Sequence, residues 1–105
     1  MKINIIQTTT DSLKIAHIMS DYLIKNKLSP CVQIVPNVAS IYRWNGKVTN
    51  SNEFILIIKT INKHLKACKK YIIDHHNYDI PEILITESEI FLDTYKDWFI
   101  ENSRK

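Results

Sequence analysis

The chain opens with Ile3, Ile5 and Ile6 and turns polar from Thr8 to Ser12, which predicts a first strand over Lys2–Thr8. Leu13, Ala16, Met19 and Leu23 then recur every three or four residues, with Ile15 and Tyr22 beside them. That spacing predicts an amphipathic helix, capped by Asp11 or Ser12 and ended at Asn26-Lys27. Pro30 leads into a second strand, Cys31–Val35, which Pro36-Asn37 interrupts because proline cannot donate to a ladder. The strand resumes over Val38–Trp44. Asn45-Gly46 supplies a two-residue hairpin turn in which both positions take positive φ, with Lys47–Thr49 as the return and Asn50-Ser51-Asn52 as a loop.

Phe54-Ile55-Leu56-Ile57-Ile58 shows no alternation, so Glu53–Thr60 reads as a central strand covered on both faces. Leu65, Cys68 and Ile72 mark a second helix from Asn62 to Asp74. Asn77 and Pro81 bracket a turn, and Ile83-Leu84-Ile85 form a fourth strand. Ser88 is expected to cap a last helix carrying an aromatic stripe of Phe91, Tyr95, Trp98 and Phe99. The resulting order, β-α-β-β-α-β-α with a hairpin between the second and third strands, is the α+β ferredoxin-like plan. Here the βαββαβ sandwich is extended by a carboxy-terminal helix and a long β-hairpin. At 105 residues the chain is expected to make one domain, 1–105.

Composition removes several function classes. A single glycine, Gly46, leaves no glycine-rich phosphate cradle or dinucleotide fingerprint. The formal charge of +3 is spread from Lys2 to Lys105, and the tightest group, Lys66, Lys69 and Lys70, falls on a helix face, so no nucleic-acid partner is expected. No apolar stretch is long enough to span a bilayer and the amino terminus has no leader-like pattern, so no membrane partner is expected and the location reads as cytoplasmic. Cys31 and Cys68 lie far apart among apolar neighbours and read as core residues. Without a Ser-His-Asp spacing, an HExxH helix or a CxxC pair, no catalytic group stands out, and neither an enzyme nor an organic cofactor is expected.

Fold alone leaves function open. The local sequence is more specific: Cys31-Val32-Gln33-Ile34-Val35-Pro36, Ser40-Ile41-Tyr42-Arg43-Trp44-Asn45-Gly46-Lys47, Ile58-Lys59-Thr60 and His76-Asn77-Tyr78-Asp79-Ile80-Pro81-Glu82-Ile83 follow one another, with Tyr95 and Trp98 closing the series. In that order they resemble the signatures of the CutA divalent-cation-tolerance family. The resemblance implies a homotrimer whose long hairpin crosses to a neighbouring subunit, and a role in tolerance to divalent cations, copper above all. On the strand Ser40–Trp44, Tyr42 and Trp44 share a face opposite Ile41 and Arg43, so an isolated hairpin offers adhesive surface on both sides. Tyr42, Trp44 and Trp98 are the expected trimer contacts.

The resemblance also points to His75 and His76 as metal ligands, with Cu2+ the favoured ion. Neutral imidazole suits copper, nickel and zinc, and its affinity falls on acidification. Adjacent histidines project about 100° apart on a helix, so one ion rarely takes both. A pair at a helix end can instead serve the last carbonyls. The resemblance implies that some relatives add a cysteine at the end of the first strand; here Gln7 stands there, and Asn77 replaces the motif's proline. Lys59, inside an apolar strand, and Glu53 and Glu82, near strand starts, are candidates with Tyr42 to line a cleft between subunits. Such a cleft suggests an alternative function, a trimeric signalling protein of the PII type binding a small metabolite. A third reading, an acylphosphatase-type hydrolase, needs a phosphate loop with a placed arginine, and the chain has only Arg43 and Arg104.

Overall fold

The computed structural model describes residues 1–104 and begins with β1 (Lys2–Thr10). The polar run Thr8-Thr9-Thr10, expected to end this strand, continues it, because Thr8 and Thr10 point inward and are fully buried. Ser12 then caps α1 (Leu13–Lys25), its Oγ accepting the Ile15 N–H at 3.2 Å. Asp11 plays no part in that cap. The helix closes through Asn26, and Lys27 takes a left-handed φ of 54°.

β2 (Cys31–Trp44) and β3 (Lys47–Thr60) form one continuous antiparallel hairpin. The interruption expected at Pro36-Asn37 is a bulge: Val35 pairs with Ile55 and Val38 with Glu53, so β2 spends one more residue than β3. Asn37, at φ 60°, absorbs the extra residue, and the proline sits where no ladder donor is needed. The expected loop at Asn50-Ser51-Asn52 is also strand, paired with Ile41, Ser40 and Ala39. Asn45 and Gly46 take φ of 50° and 75°, the turn that their sequence predicts.

α2 (Asn62–His75) is followed by β4 (Ile83–Glu89) and α3 (Asp93–Glu101). Ser88 is not a cap. It belongs to β4, opposite Ile3, and α3 starts after Leu92 without a side-chain cap. Phe91 lies ahead of the helix and is 92% exposed, so only Tyr95, Trp98 and Phe99 of the aromatic stripe are helical.

The strand order β2-β3-β1-β4, antiparallel throughout, is that of the ferredoxin-like plan. One sheet face bears Ile6, Leu56 and Ile58, which pack with Ala16, Met19 and Leu23 of α1 and Cys68, Tyr71 and Ile72 of α2. Each such fully buried aliphatic side chain contributes roughly 1.5–3 kcal/mol. Ile55 and Ile57 face the other way and are half-buried, so the two-sided cover expected for this strand is complete only under the helices. α3 sits against that second face, where Tyr95, Ile3, Ile5 and Lys59 share a shallow groove. Cys68 is buried as expected, whereas Cys31 is only partly covered.

Candidate functional site

The last turn of α2 is anchored by Tyr71 and Ile72, both buried, and this fixes the direction of the histidines that follow. His75 is the third ring of a stack. Tyr22 and Tyr71 lie 4.0 Å apart and nearly parallel, and the His75 ring lies 4.2 Å from Tyr71. Its Nδ1 is 2.9 Å from the Tyr71 carbonyl, which can only accept, so Nδ1 carries a proton and the lone pair of the neutral ring is on Nε2. An imidazole held by a carbonyl at one nitrogen presents the other as a ligand. His75 is exposed, as a ligand for an incoming ion must be.

His76 is built differently. It leaves the helix in extended conformation and turns its ring toward the end of β1. Nε2 donates to the Thr9 carbonyl at 2.9 Å, with Thr8 Oγ1 at 3.2 Å, and Nδ1 accepts the Tyr78 N–H at 3.0 Å. Both nitrogens are committed, and the pattern requires the neutral ring. Burial pushes its pKa below the usual imidazole value, against the opposing pull of the Thr9 carbonyl, Asp11 and Glu53. The two histidines therefore do not converge: one is a presented donor and the other a fastener between the loop after α2 and β1.

Asn77 strengthens that fastening. Its amide receives Thr10 Oγ1–H at 2.6 Å and donates to Asp11 at 2.8 Å, two bonds that a proline side chain cannot make. Beyond it, Tyr78 donates its hydroxyl to Glu53 at 2.6 Å, and burial followed by that carboxylate raises the phenol pKa, so the proton stays on Tyr78.

Tyr78 and Glu53 form the floor of a cleft of about 650 Å³ between the outer hairpin and the loop that precedes β4. Tyr42 and Trp44 line it from β2, and Asp79 and Glu82 from the loop. Gln7, on β1, donates its side-chain amide N–H to Glu82 at 3.3 Å. Of the residues expected in a cleft, Tyr42, Glu53 and Glu82 come together, while Lys59 stands in the groove beside Tyr95. Tyr78 and Trp44 were not anticipated there. The signal for Tyr78 was its place in the motif after the histidines, but its contact with Glu53 spans 25 positions and no local pattern reveals it. Trp98, expected at an interface, is half-exposed on α3.

Among the described residues no three His, Cys, Asp or Glu side chains converge on a common point. The nearest carboxylate to His75 in sequence, Asp74, is held by Lys70 at 2.7 Å. One imidazole nitrogen is too little for a closed transition-metal site, which takes three or four donors. The side chains of one chain thus do not fit a resident metal ion.

Residues 4–102 match the family model described as CutA1 divalent ion tolerance protein. The divalent-cation tolerance protein CutA of Thermus thermophilus is 32% identical over 99 residues, covering 94% of this chain and 96% of that protein. The chloroplastic protein CutA of Arabidopsis thaliana is 34% identical over 86 residues, 82% of this chain, which spans only 47% of that longer protein. The crystal structure of the divalent ion tolerance protein CutA1 from Ehrlichia chaffeensis superposes with a TM-score of 0.92 at 29% identity, covering 98% of this chain and 96% of that one. A match across nearly all of the described fold, reached by family model, sequence and structure alike, means that this chain belongs to the CutA1 divalent ion tolerance family.

Proposed function

We propose that the chain serves divalent-cation tolerance as a cytoplasmic homotrimeric binding protein, not as an enzyme, with copper(II) its preferred ion and His75 its metal contact. The observation that carries this reading is the contrast at the end of α2. His75 offers Nε2 from an oriented, exposed ring, whereas both nitrogens of His76 are occupied within the fold. A single imidazole per chain gives weak binding, and a tighter site needs donors from other copies. Assembly is supported by the outer hairpin, which leaves Ile41, Trp44 and Val48 uncovered in one chain.

Calorimetric titration with copper(II) tests the metal assignment. His75→Ala is expected to weaken binding by at least about tenfold, the scale on which even supporting residues of a metal site act. His76→Asn, in protein that circular dichroism shows to be folded, is expected to leave the affinity near that of the wild type. An unchanged copper affinity in His75→Ala overturns the assignment.

A further inference from the structure

His75 is the last residue of α2, and the chain is already extended at His76. Helix ends fray, because their last carbonyls have no partners inside the helix. An exposed histidine on such a turn, left to itself, samples several rotamers and offers its free nitrogen in no fixed direction. His75 is not left to itself.

Two contacts fix the ring, and Tyr71 supplies both. The Tyr71 carbonyl takes the Nδ1 proton at 2.9 Å and so holds one edge. The Tyr71 ring lies against the imidazole face at 4.2 Å, with 20° between the planes. Tyr71 is in turn held from α1: the Tyr22 ring stacks on it at 4.0 Å and within 4° of parallel. The centres of Tyr22 and His75 are 6.4 Å apart, so Tyr71 is the middle ring and Tyr22 acts on the imidazole through it. All three rings belong to the helices and none to the outer hairpin, so the stack does not depend on what covers that hairpin.

The order of the rings suits a ligand. Burial, and after it the nearness of Tyr22, raises the Tyr71 phenol pKa, so the middle ring is neutral and rich in π electrons. An imidazole that coordinates a cation gains positive charge, and an aromatic face beside it favours that form. Tyr22 itself is 42% exposed, so replacing it opens no cavity in the core.

We propose that Tyr22 is a positioning residue for the metal contact: acting through Tyr71, it holds the His75 imidazole so that Nε2 is presented in one orientation, and α1 thereby becomes part of a site whose donor is on α2. The metal role rests on the assignment of His75 under Proposed function, whereas the ordering of the ring does not.

Proton NMR of the metal-free, full-length protein reads the ordering directly, because a ring stacked on another is shielded by it. The His75 ring protons, identified by their absence in His75→Ala, are expected upfield in the wild type. They should stay there in Tyr22→Phe, which keeps the ring, and move toward the values of a free histidine in Tyr22→Leu. Copper(II) titrated calorimetrically should bind about two- to tenfold more weakly to Tyr22→Leu, the worth of one stacked aromatic pair, and normally to Tyr22→Phe. In the His75→Ala background Tyr22→Leu should add no further loss, since its effect passes through the imidazole. Circular dichroism checks that each variant is folded. Unmoved His75 resonances in Tyr22→Leu, an equal loss of affinity in the Leu and Phe variants, or an additive loss without His75 overturns the proposal. The failure of the metal assignment is a different result: ring protons that move as expected while copper affinity is unchanged in His75→Ala. That result removes the metal role of Tyr22 and leaves the stack.

Discussion

The inner and outer halves of the β2–β3 hairpin share one ladder, yet they are held in place by different forces. From Cys31 to Val35, opposite Ile55 to Lys59, the strands carry side chains that the helices cover, and Leu56 and Ile58 are fully buried. Beyond the bulge, Val38–Trp44 runs opposite Lys47–Glu53 with comparable pairing, but Ile41, Val48 and Trp44 are 69%, 67% and 51% exposed. The backbone hydrogen bonds are alike, so the difference lies wholly in what covers the side chains. A two-stranded ribbon without a covering layer is marginal in water. The inner half is therefore secured by this chain's own core, and the outer half depends on its turn, its bulge and whatever docks against it.

Truncating Leu56 to alanine should have the largest effect, a loss of about 2–5 kcal/mol in urea unfolding, as for other fully buried leucines. Ile41→Ala in the outer half should act mainly through association, lowering the melting temperature by an amount that depends on protein concentration. A loss for Ile41→Ala as large as that for Leu56→Ala and independent of concentration would erase the distinction between the halves. His76→Asn comes next. It removes one of the bonds tying the loop after α2 to β1 and should cost about 1–3 kcal/mol, read by the same unfolding method.

The contrast between the halves also marks what the sequence made legible. Where side chains are buried, their pattern announces the element: α1 was readable from Ala16, Met19 and Leu23, α2 from Cys68 and Ile72, and the inner part of β3 from Leu56 and Ile58 with their apolar neighbours. Asn50-Ser51-Asn52 looked like a loop because its strand is half solvent-facing and polar. Its pairing with Ser40 and its neighbours is set by a turn and a bulge, and composition carries no trace of that. Ser88 misled for a related reason: a serine followed by aromatic residues fits a cap, but opposite Ile3 it extends an edge strand. At the site, the histidine pair was visible while the difference between its members was not, because that difference depends on Thr9, Tyr71 and Tyr78, brought close only by the fold. The place of Tyr78 escaped for the same reason, since its contact with Glu53 is made only in the fold.

Smaller effects sharpen the picture at the tip and at the fastener. Gly46, at φ 75°, has nothing within 4 Å of an added Cβ, so Gly46→Ala pays only the backbone term, about 1 kcal/mol, measured as a shift in the unfolding midpoint. The pH response should be smaller still. The folded state holds His76 neutral, with its pKa below that of the unfolded chain, so the unfolded chain binds more protons between the two values. The associated stability is complete above the unfolded value, about 6.5, and declines as pH falls toward the folded one. Protonating Nδ1 would also set it against the Tyr78 N–H. His76→Asn should flatten this part of the stability profile between neutral and mildly acidic pH, and an identical slope in the variant would contradict the neutral assignment.

The central claim, that the outer hairpin is finished by other copies of the chain, is tested most directly by light scattering on dilute, folded protein. The account predicts a mass three times the 12.4 kDa of one chain, holding on dilution. A stable species at the mass of a single chain, with the hairpin still ordered, would contradict it.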